Sequence, residues 1–153
     1  MNAVRPGVRL AVDVGRARVG LAASDPAGSL AVPVETLPRD DRVVQRIADE
    51  AAERSALEIV VGLPVSLSGG DTPSTADARE VAARLAAAST VPVRLVDERL
   101  STVSAQSALR SAGRSTRRSK SVVDQAAAVI ILQHALDSER AGGTPPGAVV
   151  EPD

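Results

Sequence analysis

Residues 10–24 read LAVDVGRARVGLAAS. Two apolar runs, Val8 to Val14 and Arg18 to Ser24, flank the tight connection Gly15-Arg16-Ala17, the signal of a β-hairpin. One residue resists the pattern. Asp13 sits among Leu10, Val12, Val14 and Val19, where water is scarce. Desolvating a carboxylate is costly unless a cation, a cap or a metal compensates it, so the rest of the chain must supply one of these.

Outward from the hairpin, Asp25-Pro26-Ala27-Gly28 makes a turn, and Leu30 to Leu37 supplies a third strand that Pro33 assigns to a sheet edge. Asp40 or Asp41 can cap a helix whose apolar positions Val43, Val44, Ile47, Ala48 and Ala51 recur at helical spacing. Leu57 to Leu63 is a continuous apolar run, as in a strand covered on both faces. Pro64 ends it, and Ser66-Leu67-Ser68-Gly69-Gly70 follows as a flexible loop. A helix from about Ser74 to Ala88 and a short strand from Val93 to Val96 lead into Asp97-Glu98-Arg99. Ser101 or Thr102 caps a further helix that stops near Gly113. Arg114 to Lys120 lacks periodicity and reads as a mobile basic loop before an Ala-rich helix from about Val122 to Glu139.

The order βββαβαβαα predicts an α/β domain over residues 1–140. Its five-stranded mixed sheet begins as an antiparallel meander, continues with parallel strands, and carries helices on both faces. Residues 141–153, AGGTPPGAVVEPD, are too rich in Gly and Pro to bury much surface and are expected to be disordered.

Composition narrows the chemistry. At 44% hydrophobic and 24% charged residues, the chain is of the soluble globular class. Phe, Tyr and Trp are absent, which removes base stacking on aromatic side chains as a grip on nucleic acid. Cysteine is absent too, which removes disulfides, thiolate nucleophiles and Cys-based zinc sites. With neither a signal peptide nor a membrane-spanning apolar run, a cytoplasmic location without membrane contact is expected. Net charge is only −1, yet Glu98 to Asp124 encloses Arg99, Arg110, Arg114, Arg117, Arg118 and Lys120 with no acid between them. Such local positive charge suits phosphate, and equally suits a solvated loop.

Three carboxylates fall at three element ends: Asp13 on the first strand, Glu98 past the last strand, and Asp124 in the first turn of the last helix. If the first, fourth and fifth strands are adjacent and parallel, Asp13 and Glu98 emerge at the carboxyl edge of the sheet, where ligands of α/β folds bind. Asp124 shares a helical stripe with Ala128, Ile131 and Ala135, so it points inward. Each acid also has a local explanation: Asp13 can cap the turn at Gly15, Glu98 can pair with Arg99 or Arg18, and Asp124 can favour a helix dipole. Three converging carboxylates repel unless a cation intervenes, and Mg²⁺ or Mn²⁺, with its preference for oxygen ligands, is the natural one. Strand alternation puts Asp97 and Glu98 on opposite sides; Glu98 is taken as the ligand and Asp97 as its substitute.

The segments DVGRARVGLAASDP, VVGLPVSLSGG, VDERLST and VVDQAAAVIILQ resemble, in order and spacing, the YqgF-type or RuvX-like family over residues 8 to 138. Members are described as Holliday junction resolvases and as pre-16S rRNA nucleases. The resemblance implies a ribonuclease H-like fold and a metal-dependent phosphodiesterase site at Asp13, Glu98 and Asp124. A fourth carboxylate, common on this fold's last helix, has no counterpart before Asp137, which leaves a second metal thinly ligated. The implied role is maturation of the 5′ end of 16S rRNA on ribosomal precursor particles, with cleavage of four-way DNA junctions as the alternative. Arg99, Arg114, Arg117, Arg118 and Lys120 would then hold flanking phosphates. Gly15 and Gly62 either let backbone approach the substrate or serve ordinary turn geometry. Two rivals stand beside this reading. DVG followed by Gly20 resembles the first phosphate loop of actin-like and sugar-kinase-like ATPases, although 153 residues supply only one of the two lobes. A nucleic-acid-binding module of ribosome assembly or transcription could also keep the fold without turnover. The oligomeric state is open.

Overall fold

The computed structural model describes residues 4–66, 68–98 and 116–152, the side chains of residues 116–124 excepted. The hairpin is where residues 10–24 place it: β1 (Arg9–Val14) pairs antiparallel with β2 (Arg18–Ser24), Asp13 facing Gly20. β3 (Ala31–Pro38) continues the meander, and Pro33 lies on that edge strand, where its missing N–H costs no ladder bond. Helix α1 (Val43–Glu53) leads to β4 (Glu58–Leu63), and α2 (Pro73–Ala88) leads to β5 (Val93–Asp97). β4 pairs parallel with both β1 and β5.

Three boundaries differ from the sequence reading, each for a local reason. Helix α2 starts at a capping box, Thr72 with Thr75, with Pro73 in its first turn. Asp40 accepts the Arg42 N–H at 2.9 Å, but Arg42 is the residue that precedes α1 and provides no side-chain cap. The last helix, α3 (Thr116–Gly142), is longer than Val122 to Glu139. Arg117, Arg118 and Lys120 therefore lie in a helix and not in a mobile loop: Arg and Lys are good helix formers, and no Gly or Pro interrupts the chain from Thr116 to Ala141. Arg99, Arg114 and the helix expected between Ser101 and Gly113 lie outside the described residues.

The sheet has six strands rather than five, in the order β3-β2-β1-β4-β5-β6. The sixth, β6 (Ala148–Val149), comes from the Gly/Pro-rich tail that was expected to be disordered. Gly147 makes this possible with φ of 66°, where a Cβ would collide with the Leu95 carbonyl.

Alternation along the strands builds two unlike cores. Leu10, Val12, Val19, Leu21, Ile59 and Val61 pack against Ile47 of α1 and Leu85 of α2. On the other face Ala11, Ala22, Ala31, Val60 and Val96 pack against Ala128, Ile131, Leu132, Ala135 and Leu136 of α3. Small side chains on the three meander strands let α3 lie close to the sheet, and each fully buried Leu or Ile there contributes about 1.5–3 kcal/mol. Polar bonds fix the helix lengthwise: Gln125 Nε2 donates to Thr36 Oγ1 (3.0 Å), the Ala31 N–H donates to Gln133 Oε1 (3.0 Å), and Arg140 donates to the Gly28 carbonyl (3.1 Å).

Candidate metal centre

The same alternation selects the face of the site. Ala11, Val60 and Val96 face α3, so Asp13, Gly62 and Glu98, each two residues further on, are set toward α3 as well. Val12 is level with Val61, and Gly62 with Val96, which brings all three to the carboxyl edge of the parallel strands. The Glu98 N–H donates to the Leu63 carbonyl at 3.3 Å and holds this residue beside the end of β4. Asp97, its alternate, is exposed one step away.

Gly62 is the residue that makes room. A Cβ there would strike Glu98 Oε2 and come within 2.6 Å of Ile131 Cδ1. The space a side chain would fill holds the carboxylate and the tip of a core residue of α3. Gly15 has a different reason: its N–H donates to the Arg18 carbonyl at 2.9 Å, closing the β1–β2 turn, and a Cβ would sit 2.5 Å from that same oxygen.

Glu98 Oε2 is buried and has no hydrogen-bond partner among the described residues. Burial, then the charge of Asp13, then that of Asp97, push the Glu98 carboxyl up to about 7. An orphaned buried carboxylate oxygen beside a second carboxylate, in a niche kept open by a glycine, fits a hard divalent cation. Asp13 is half-buried at the strand end, wetter than its apolar neighbours suggested. The third predicted ligand, Asp124, lies on α3, seven residues before Ile131 on the stripe of Ala128, Ile131 and Ala135, toward this edge of the sheet. Its side chain is outside the described residues, among which no group of three ligating side chains gathers.

The raised Glu98 pKa has a consequence for stability. Between its ordinary value of 4.5 and about 7, the folded protein holds a proton that the unfolded chain has released. Stability of metal-free protein therefore falls as pH rises through that window and levels off above it, by on the order of 3 kcal/mol in all. Thermal melts in chelator from pH 4.5 to 7.5 should show this decline, much reduced in Glu98→Gln. Parallel profiles for the two proteins would contradict the assignment.

Sequence reasoning missed two polar features near this edge. Arg39 donates two hydrogen bonds to Asp77 (2.8 and 2.9 Å) and one to the Gly15 carbonyl (2.9 Å), tying the turn beyond Asp13 to α2. Thr75, the capping residue of α2, also donates to the Pro64 carbonyl and so secures the end of β4. Strand ends on either side of the niche are thus held by one helix. The capping pair Thr72 and Thr75 is legible in sequence; the reach of Arg39 across 38 residues is not.

Comparison with known proteins follows the same geometry. The family model described as RuvX, Holliday junction resolvase, matches residues 7–138. A protein of Clavibacter michiganensis subsp. michiganensis named "Putative pre-16S rRNA nuclease" is 63% identical over 150 residues, covering 96% of this chain and 93% of the relative. A Nocardioides protein of the same name is 55% identical, covering 97% and 99%. Among solved structures, Thermus thermophilus RuvC in complex with a Holliday junction substrate aligns with a TM-score of 0.57 at 17% identity, covering 92% of this chain and 99% of that one. At that identity the likeness is one of fold, and it agrees with the ribonuclease H-like architecture read from the sequence. No helix among the described residues is long and apolar enough to cross a membrane.

Proposed function

This chain belongs to the RuvX, Holliday junction resolvase, family, and from that premise we propose that it is a Mg²⁺- or Mn²⁺-dependent nuclease that trims the 5′ end of pre-16S rRNA. The observation that supports the metal dependence is the buried Oε2 of Glu98, without a partner among the described residues, beside Asp13 in the space left by Gly62. The choice of RNA rests on relatives of 50–63% identity that share the rRNA nuclease name over nearly their full length.

Asp13 and Glu98 supply carboxylate oxygens from the ends of β1 and β5, and Asp124 completes the set from α3. These residues would hold a divalent ion, which would supply an acidified water and charge stabilisation to a phosphodiester displacement. The carboxylates fix where the scissile phosphate must lie, and ribosomal precursor particles are the partner that presents it. Burial and the charge of Asp13 raise the Glu98 pKa in the metal-free protein, and a bound cation would offset both. Arg99, Arg114, Arg117, Arg118 and Lys120 hold flanking phosphates.

Presenting the wild type with precursor 16S rRNA and a four-way DNA junction side by side, in Mn²⁺, tests the reading. Cleavage of the rRNA with the junction intact is expected. Cleavage of the junction alone moves the function to the resolvase alternative. Binding without any cleavage favours a non-catalytic module.

A further inference from the structure

A second concave surface lies on the sheet face opposite α3 and takes no part in the centre described above. It is a cavity of about 450 Å³ between the β1–β2 turn and helices α1 and α2. Most of its charged groups are already satisfied. Arg39 and Asp77 neutralise each other through two hydrogen bonds, and Asp40 accepts the Arg42 N–H. Arg16, on the turn, and Arg84, on α2, are exposed and make no hydrogen bond or ion pair with any described residue. Asp40 and Asp41 line the same cavity, and Arg16 acts on Asp77 through its charge without a direct bond. From Ser74 to Arg84 the cavity follows about 15 Å of α2, which is long for a single phosphate group and suited to a polymer.

We propose that this cavity seats the sugar–phosphate backbone of the bound nucleic acid strand beyond the scissile bond, with Arg16 and Arg84 each holding phosphate oxygens. The inference rests on the nuclease reading and deepens it. Arg16 stands three residues past Asp13 on a turn locked by the Gly15–Arg18 bond and by Arg39. A strand that passes Asp13 and crosses this turn reaches Arg16 first and then runs along α2 to Arg84. Guanidinium forks without a direct bond are the side chains suited to phosphate, and both carboxylate oxygens of Asp77 are engaged by Arg39, so Asp77 acts on Arg16 only through its charge.

The test compares two double variants made in the Asp13→Asn protein, so that RNA is bound without being cut. Arg16→Ala/Arg84→Ala should weaken binding of a long single-stranded RNA about tenfold at low salt and lower the slope of log Kd against log salt by roughly 1.4. Arg54→Ala/Arg140→Ala, which removes the same charge elsewhere, should change neither. Equal losses in the two doubles, or no loss in the first, overturn the proposal. The nuclease reading is judged separately, by whether Asp13→Asn alone abolishes cleavage; persistent cleavage sinks that reading, and the binding comparison is then made in chelator on RNA checked to be intact.

Discussion

Cleavage of precursor rRNA should fall about a thousandfold or more in Asp13→Asn, equivalent to about 4 kcal/mol of lost transition-state stabilisation, while RNA binding survives or tightens. Asn keeps the size and hydrogen-bonding shape of Asp and removes only its charge. That charge matters twice at the end of β1. It is one ligand of the proposed centre, and it is the second contribution, after burial, to the raised pKa of Glu98. Removing it leaves only Glu98 and Asp124 of the proposed set, too weak a site to hold a hard cation against its hydration shell. It also removes a negative charge facing the phosphate backbone, which is why affinity for RNA should not decline. Single-turnover cleavage in Mn²⁺ measures the first effect. Melting curves measure the second: with Mn²⁺ at a hundredfold its dissociation constant, wild type gains about 2.7 kcal/mol, and the variant should gain little. A variant that cuts at the wild-type rate, or one that keeps the full Mn²⁺ shift, would end the reading of Asp13 as a ligand.

Asp13 and Glu98 could be found in the sequence because their positions follow from period two. Once LAVDV and LEIVVGL are parallel neighbours, parity decides which face each side chain takes, and the end of each apolar run marks the sheet edge. The role of Gly62 could be raised but not decided. Turn geometry, substrate approach and space for a neighbour all leave the same glycine, and only the positions of Glu98 and Ile131 distinguish them. Elements that depend on tertiary context were harder to read. β6 has two exposed residues and no hydrophobic pattern; it exists because the edge of β5 offers unpaired backbone groups to Ala148 and Val149. The start of α3 was masked by its basic composition, which signals a solvated loop and a helix equally well. Arg9 and Glu58 stand within runs read only for their apolar residues, and nothing in the sequence signals that both are 1% exposed.

Those two residues belong to a network at the far edge of the sheet, and breaking it should cost as much stability as a large core deletion. Arg9 opens β1, Glu58 opens β4 directly across from it, and Glu139 lies near the end of α3. Arg9 bonds Glu139 at 3.1 Å, Arg5 bonds Glu139 and Glu58 at 2.8 and 2.7 Å, and Arg94 bonds Glu58 at 2.6 Å. Burial alone would raise the Glu139 pKa, but its bonds to Arg5 and the charges of Arg5 and Arg9 hold it below the ordinary value. Glu139→Ala leaves the buried Arg9 guanidinium with one bond to the Gly7 carbonyl (2.8 Å) and no close counter-charge, its nearest remaining carboxylate being Glu58 at 4.0 Å. Breaking a buried pair from one side costs about 3–5 kcal/mol, here a fall in Tm of roughly 10 °C. Exchanging both partners for apolar residues should cost far less, because the desolvation of two charges disappears with their attraction. Arg9→Met/Glu139→Leu should therefore lie well above the sum of Arg9→Met and Glu139→Leu in a double-mutant cycle read by urea unfolding. Additive losses, or a Glu139→Ala variant within about 1 kcal/mol of wild type, would show that the network is solvated after all. The same bonds anchor the end of α3 across β1 and β4, and α3 is the helix whose other end carries Asp124, the third ligand proposed above.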